Sequence, residues 1–334
     1  MSRRAEILEL LAGKKTSSQP AFSGLIHVTA EGLQKEELVF HEVHKDARKL
    51  AKASASTFKL SGWPSAVAPL DMHVEAETLG AKIDFRENGK FMFPQVATAL
   101  FASTERLNSE YFGSTDFVKK GRIPLVCEAI QRLKQDIGPE AVIGGMIPGP
   151  YTLLLFLVEP GGLFTEMKRE PRLVTDALLQ LASFLAEVGV AYRKAGADFI
   201  TIHDMGGSPG FIGPARYEQF AYPAEKLLIA ELPAPRVLSV CGNTNRSMHL
   251  LAQTGADAIS VDQLNDLGES RKVLTDTLLF GNIDPAATLG WGDEAEIARV
   301  VRGAKEAGVD AVWPGCDLAL QTSIENLKAF IKAS

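Results

Sequence analysis

"AGADFITI", residues 195–202, recurs in outline as "TGADAISV" (254–261) and "AGVDAVWP" (307–314). In each copy a glycine follows a helical pattern and can supply the positive φ that ends a helix. A small residue and an aspartate then lead into an apolar run. Such runs, without polar alternation, read as strands covered on both faces, which is the habit of parallel sheets wrapped in helices. The strand candidates are Val142–Met146, Phe199–His203, Val237–Cys241, Ala258–Asp262, Leu278–Ile283 and Ala311–Pro314. Helical patterns separate them at Pro171–Lys194, Arg246–Gln253, Gly268–Leu274 and Glu294–Ala307. Two closures fit this alternation, an open doubly wound sheet and a (β/α)8 TIM barrel. No G-x-G-x-x-G follows a strand and there is no P-loop, so a nucleotide-binding open sheet has little support.

The first 140 residues are less regular. They suggest a first strand over Ala21–Val28, helices at Ala47–Lys52 and Met72–Leu79, and a hairpin around "KIDFRENGKFMFP" (82–94) with Asn88-Gly89 as its turn. Arg122–Gln135 reads as an amphipathic helix. The expected fold is therefore one α/β domain spanning 1–334, a barrel with N-terminal elaborations. No linker or low-complexity stretch divides it.

Net charge is −6, which argues against nucleic acid as a partner, since that needs a basic face. The uncharged stretch 141–158 has the length of a membrane span, but Gly144-Gly145 and Pro148-Gly149-Pro150 break it into strand, turn and helix start. No membrane association is expected. Three cysteines form no disulfide framework, and a cytoplasmic location is expected.

In a parallel barrel the active site lies at the C-terminal strand ends. Those ends carry His203-Asp204, Cys241-Gly242-Asn243, Asp262, Asn282 with Asp284, and Cys316-Asp317. Taken singly, each cysteine suits a buried small hydrophobe better than a ligand. Cys241 and Cys316 are different as a pair, because each adjoins glycine at a strand end, and thiolates suit zinc. Cys127 falls in a helix. A lone histidine after "FITI" is more often structural, yet His203 ends a strand. "GGSPG" (206–210) is either a lid or a long connecting loop.

Several stretches together resemble the uroporphyrinogen decarboxylase superfamily, and within it the methylcobamide:coenzyme M methyltransferases. They are "VEAETLGAKIDF" (74–85), "GGMIPGPYTLL" (144–154), "VCGN" (240–243), "GADAISVDQ" (255–263), "GNIDP" (281–285) and "PGCDLALQTSIENLKAF" (314–330). The resemblance implies a (β/α)8 barrel that moves a methyl group between cobalamin on a corrinoid protein and a small-molecule donor or acceptor. Coenzyme M, tetrahydrofolate or a methylated substrate would fill that role. It implies zinc on Cys241 and Cys316, with a histidine where this chain has Ser239. Three outcomes fit that departure: His203 supplies the missing imidazole, a carboxylate such as Asp262 completes the site, or the metal is lost; a metal held by Cys241, Cys316 and His203 is the expectation. Asp204, Asn243, Asn282 and Asp284 are expected to line the rim and position substrate, although Asp284 before Pro285 also fits a helix-start role. Two alternatives remain. One is a decarboxylase, disfavoured because "PAFSGLIHVTAEGL" (20–33) lacks the arginines that eight substrate carboxylates need. The other is a non-catalytic corrinoid-binding paralogue.

Overall fold

The computed structural model describes residues 2–107 and 116–334. Seven parallel strands form one sheet in the order β1 (Ser65–Ala68), β4 (Val142–Pro148), β5 (Phe199–Asp204), β6 (Arg236–Val240), β7 (Ala258–Val261), β8 (Leu278–Ile283) and β9 (Ala311–Pro314). β2 (Ile83–Asp84) and β3 (Gln95–Val96) make a separate antiparallel pair. The six strands expected from the apolar runs are all present. The expected first strand is not. Residues 20–27 instead lie as an irregular stave that closes the ring. On one flank Ala21 bridges Val312, and Val312 N–H donates to Pro20 O at 3.0 Å. On the other, Ser23 N–H donates to Ser65 Oγ at 2.9 Å and His27 Nε2 meets Ser65 O at 3.0 Å. The stave packs so closely on the ring interior that only glycine fits at its middle: a Cβ on Gly24 would come within 2.1 Å of Thr201 Oγ1 and 2.5 Å of the Phe199 ring. Counting this stave first, β5, β6 and β9 are the fourth, fifth and eighth.

The repeated glycines do what their sequence suggests. Gly196, Gly255 and Gly308 have φ of +118°, +85° and +90°. The repeated aspartates do more. Asp198, Asp257 and Asp310 each clasp one residue of the preceding strand through both its backbone groups. Their N–H groups donate to Ile143 O, Arg236 O and Leu279 O at 2.6, 3.0 and 2.8 Å. Their carboxylates accept the N–H of the same three residues at 2.9, 2.7 and 2.8 Å. The clasps fix the register of β4–β5, β6–β7 and β8–β9.

Inside the ring, Phe22, Phe199, Phe280 and Trp313 pack mostly edge-on and at a tilt, with centroids 5.0–6.4 Å apart. The N-terminal helix Arg3–Leu11 closes the lower end. Its Ile7, Leu10 and Leu11 are buried against the strand-start residues Val142, Val237, Ala258 and Ala311. The stretch 141–158 resolves into β4 and helix Pro150–Leu157, as its glycines and prolines imply. Helix Pro171–Ala195 has the length and hydropathy of a membrane span, but over half of its apolar window is buried within the fold. Around 82–94 the hairpin is looser than expected. Ile83 pairs with Val96, so ten residues connect the arms, and positive φ falls on Arg86 and Phe91 rather than at Asn88-Gly89.

Candidate metal centre

Strand alternation decides which end-residues face the interior. On β5, Phe199, Thr201 and His203 point inward, and His203 is in register with Ser239 of β6. Cys241 lies two residues beyond Ser239, just past the strand end, where Gly242 turns the chain at φ +82°. Cys316 follows β9 by way of Gly315. A Cβ on Gly315 would come within 2.8 Å of Asp262 Cα, so only glycine lets the chain pass there. The result is a cluster: Cys241 Sγ to Cys316 Sγ is 3.0 Å and Cys316 Sγ to His203 Nε2 is 3.9 Å. The three donor atoms lie within 4.8 Å of one another. Both cysteines are free thiols, and 3.0 Å is well beyond the ~2.05 Å of a disulfide. Asp317 completes the group: its Oδ2 stands 3.8 Å from His203 Nε2 and its Oδ1 accepts Ile26 N–H at 2.8 Å.

The electrostatics favour one thiolate. The Cys241 S–H and the His203 imidazole hold Cys316 well below the ordinary thiol range, against the effect of burial. Cys241 is pushed up, because a second thiolate beside Cys316 would be repelled and burial disfavours it further. Burial works against a charged His203, but Asp317 and Cys316 outweigh it and raise the imidazole to about 9. Burial raises Asp317 to about 6 despite His203. Two thiols and an imidazole, half-buried to buried, match the donor set that zinc prefers, and three protein ligands leave a fourth position open.

The other expected residues divide. Asp262 stands beside the cluster with both oxygens engaged, accepting from Gly242 N–H, from Leu264 N–H at 2.9 Å and from Asn265 Nδ2 at 3.2 Å. It shapes the loops around Cys241. Asn282 donates to Asp262 O and Asn265 O, and exposed Asn243 donates to Leu264 O. Asp284 accepts from Ala286 and Ala287 N–H at 2.8 Å each, holding the turn that precedes the short helix Thr288–Trp291 rather than capping the helix itself. Asp204 does not reach the rim. As the neighbour of inward His203 it points outward, fully buried, and accepts from Thr152 Oγ1 at 2.5 Å and Gly207 N–H at 2.8 Å. "GGSPG" is tied down rather than free: Gly206 and Gly207 bond as just implied to Thr152 and Asp204, and Ser208 Oγ donates to Cys241 O. Beside the cluster a cavity of about 700 Å³ opens, reaching it at Asp317.

Comparison with known proteins bears on this geometry. A family model described as "Uroporphyrinogen decarboxylase (URO-D)" matches residues 2–334. The chain belongs to the URO-D family. Among its URO-D relatives, methylcobamide:CoM methyltransferase MtbA of Methanosarcina acetivorans is 28% identical, over 99% of this chain and 97% of its own. Methylcobamide:CoM methyltransferase MtaA of Methanosarcina barkeri is also 28% identical, over 99% and 96%. A solved methyltransferase from Methanosarcina mazei superposes with a TM-score of 0.92 at 26% identity, covering 100% of this chain and 98% of that one. The URO-D fold with methyltransferase likeness thus agrees with the barrel expected from the sequence.

Three groups had no assigned role from sequence reasoning. Asp317 was visible only as the residue after Cys316. Glu75, within the "VEAETLG" stretch, is fully buried, accepts from Tyr192 Oη at 3.2 Å, and is raised to about 8 by burial. Arg122 pairs bidentately with buried Asp71 at 2.7 and 3.1 Å and also holds Glu77. Single-residue spacing gave no signal for the last two, whose partners are distant in the chain.

Proposed function

We propose that this protein is a zinc-assisted, corrinoid-dependent methyltransferase whose metal is held by His203, Cys241 and Cys316. The observation that carries the reading is the convergence of these three donors from the fourth, fifth and eighth staves at the open end of the barrel. Methyltransferase names among relatives that cover the whole chain support it. Bound zinc would lower the pKa of an incoming thiol and hold it as the nucleophilic thiolate. The chain's own residues do the rest. Asp317 places a carboxylate 3.8 Å from His203 Nε2 and ties the Cys316 loop to Ile26. Ser208 and Asp262 fix the Cys241–Gly242 turn. A methylcobalamin brought by a corrinoid protein to the C-terminal strand ends would supply the methyl group: the thiol, having lost its proton to solvent, would gain a carbon–sulfur bond as the carbon–cobalt bond breaks with its electron pair left on cobalt. The open end of the barrel, where His203, Cys241 and Cys316 converge, is where such a partner would dock.

Protein prepared without a histidine tag should contain about one zinc per chain, and Cys241→Ala or Cys316→Ala should lower that content and abolish demethylation of methylcobalamin, followed by its absorption spectrum. A protein that takes no zinc after loading, with activity untouched by Cys241→Ala, would refute the assignment. A protein that binds methylcobalamin and candidate acceptors without turnover would instead be the non-catalytic paralogue.

A further inference from the structure

The cavity beside the cluster carries a statement about substrate. Its inner end is marked by Asp317, whose Oδ2 stands 3.8 Å from His203 Nε2. A molecule seated at that end lies beside the cluster, although none of the three donors itself lines the cavity. The walls are apolar, built by Met72, Phe93, Val96, Leu155, Phe156 and Val158. His73 also lines it and packs against Phe156 at a 40° tilt, with ring centroids 4.4 Å apart. Burial lowers the His73 pKa and so works against a charged ring there, despite nearby Asp71. The charged side chains on the wall are Asp71, Glu159 and Asp317, all acidic, and among the described residues no lysine or arginine lines it. The guanidinium behind Asp71, that of Arg122, is already spent on Asp71 and Glu77.

An anion leaving water needs an opposite charge or several N–H donors to offset its desolvation. A sulfonate here would find no unpaired lysine or arginine among the described lining residues, and would meet the exposed carboxylate of Glu159. Size points the same way. About 700 Å³ is the volume of a site for a molecule of drug-like size, and a two-carbon thiol would leave most of it empty.

We propose that this cavity holds an uncharged, largely apolar methyl donor or acceptor, such as an aryl or benzyl thiol or its methyl derivative, rather than an anionic thiol of the CoM type used by the relatives. This rests on the methyltransferase reading for what happens at the inner end, but the selectivity of the cavity is a separate property. Two probes test it, benzyl methyl sulfide and 2-(methylthio)ethanesulfonate, which share the reacting group and differ in body and charge. Ligand-observed NMR on the full chain, metal-free and zinc-loaded, reads binding without requiring turnover. Benzyl methyl sulfide should bind at least about tenfold more tightly. Val96→Trp, filling the cavity from its rim, should abolish that binding while zinc content stays the same. Glu159→Lys, a change at an exposed side chain, should strengthen binding of the sulfonate about tenfold. If the chain takes no zinc yet keeps the preference, the metal assignment fails and the cavity proposal stands. If zinc is bound but the sulfonate binds as well as benzyl methyl sulfide or better, the cavity proposal is wrong.

Discussion

Ser239 and His203 face each other across one strand boundary, in register on β6 and β5. An imidazole on either strand points into the same end of the barrel, so the ligand set can survive a change of strand. The Ser239 hydroxyl is buried and has no protein hydrogen-bond partner, as is His203 Nδ1. If His203 is the metal's imidazole, His203→Ala should cut zinc affinity by at least about tenfold, as loss of a ligand or its support does. Adding Ser239→His to that variant should recover much of it. Zinc titration with a competing chromophoric chelator measures both, and recovery failing in the double variant would separate the two positions. Residues of this kind were legible in the sequence because strand ends of a parallel barrel converge. Asp204 was misassigned for an equally plain reason. Adjacent strand residues point to opposite faces, so the neighbour of an inward histidine belongs to the helix layer.

The aspartate clasps belong to the element scale. Each satisfies a strand-start N–H that the ladder leaves open, and Asp257 and Asp310 add an arginine, Arg236 and Arg271. Replacing Asp310 by alanine strands the Leu279 N–H and leaves the Arg271 guanidinium only Thr277 O, and should cost about 1–3 kcal/mol in chemical denaturation. Asp310→Asn, which keeps one acceptor oxygen, should cost less. The sequence displayed the repeat plainly but not its purpose, because the partner residue sits in the preceding strand. It also hid β1. "SAVA" is four small residues with one β-branched among them, whereas 21–28 looks more strand-like by composition. Contact with Thr201, Phe199 and Trp313 at Gly24 overrode that local preference. The loop of the β2–β3 hairpin was misread for want of any local sign that the Asn88-Gly89 pair lies far from the paired residues.

At the scale of the whole molecule, Glu75 and Tyr192 join the N-terminal elaboration to the long helix Pro171–Ala195 through one buried hydrogen bond. The folded state keeps Glu75 protonated up to about pH 8, whereas its usual pKa is 4.5. Unfolding releases that proton, so the folded chain is penalised progressively as pH rises from about 4.5 to 8, by on the order of a few kcal/mol at the upper end. Glu75→Gln removes the titration and keeps an acceptor for Tyr192. Its thermal midpoint should therefore gain on the wild type between pH 5 and pH 8, and a parallel course of the two curves would show that Glu75 is ionised throughout. The other end of the barrel has a different kind of consequence. Helix Arg3–Leu11 stoppers the ring from below, and among the described residues the aromatic packing above it leaves the donors reachable from the strand ends. Under the proposed chemistry both reactants come to the donors from that end, and the larger one, seated over the strand ends, shuts the smaller one in. Turnover should then follow a compulsory sequence in which the small molecule enters before the corrinoid protein. In steady-state kinetics this appears as inhibition by excess corrinoid protein, relieved by raising the small molecule's concentration.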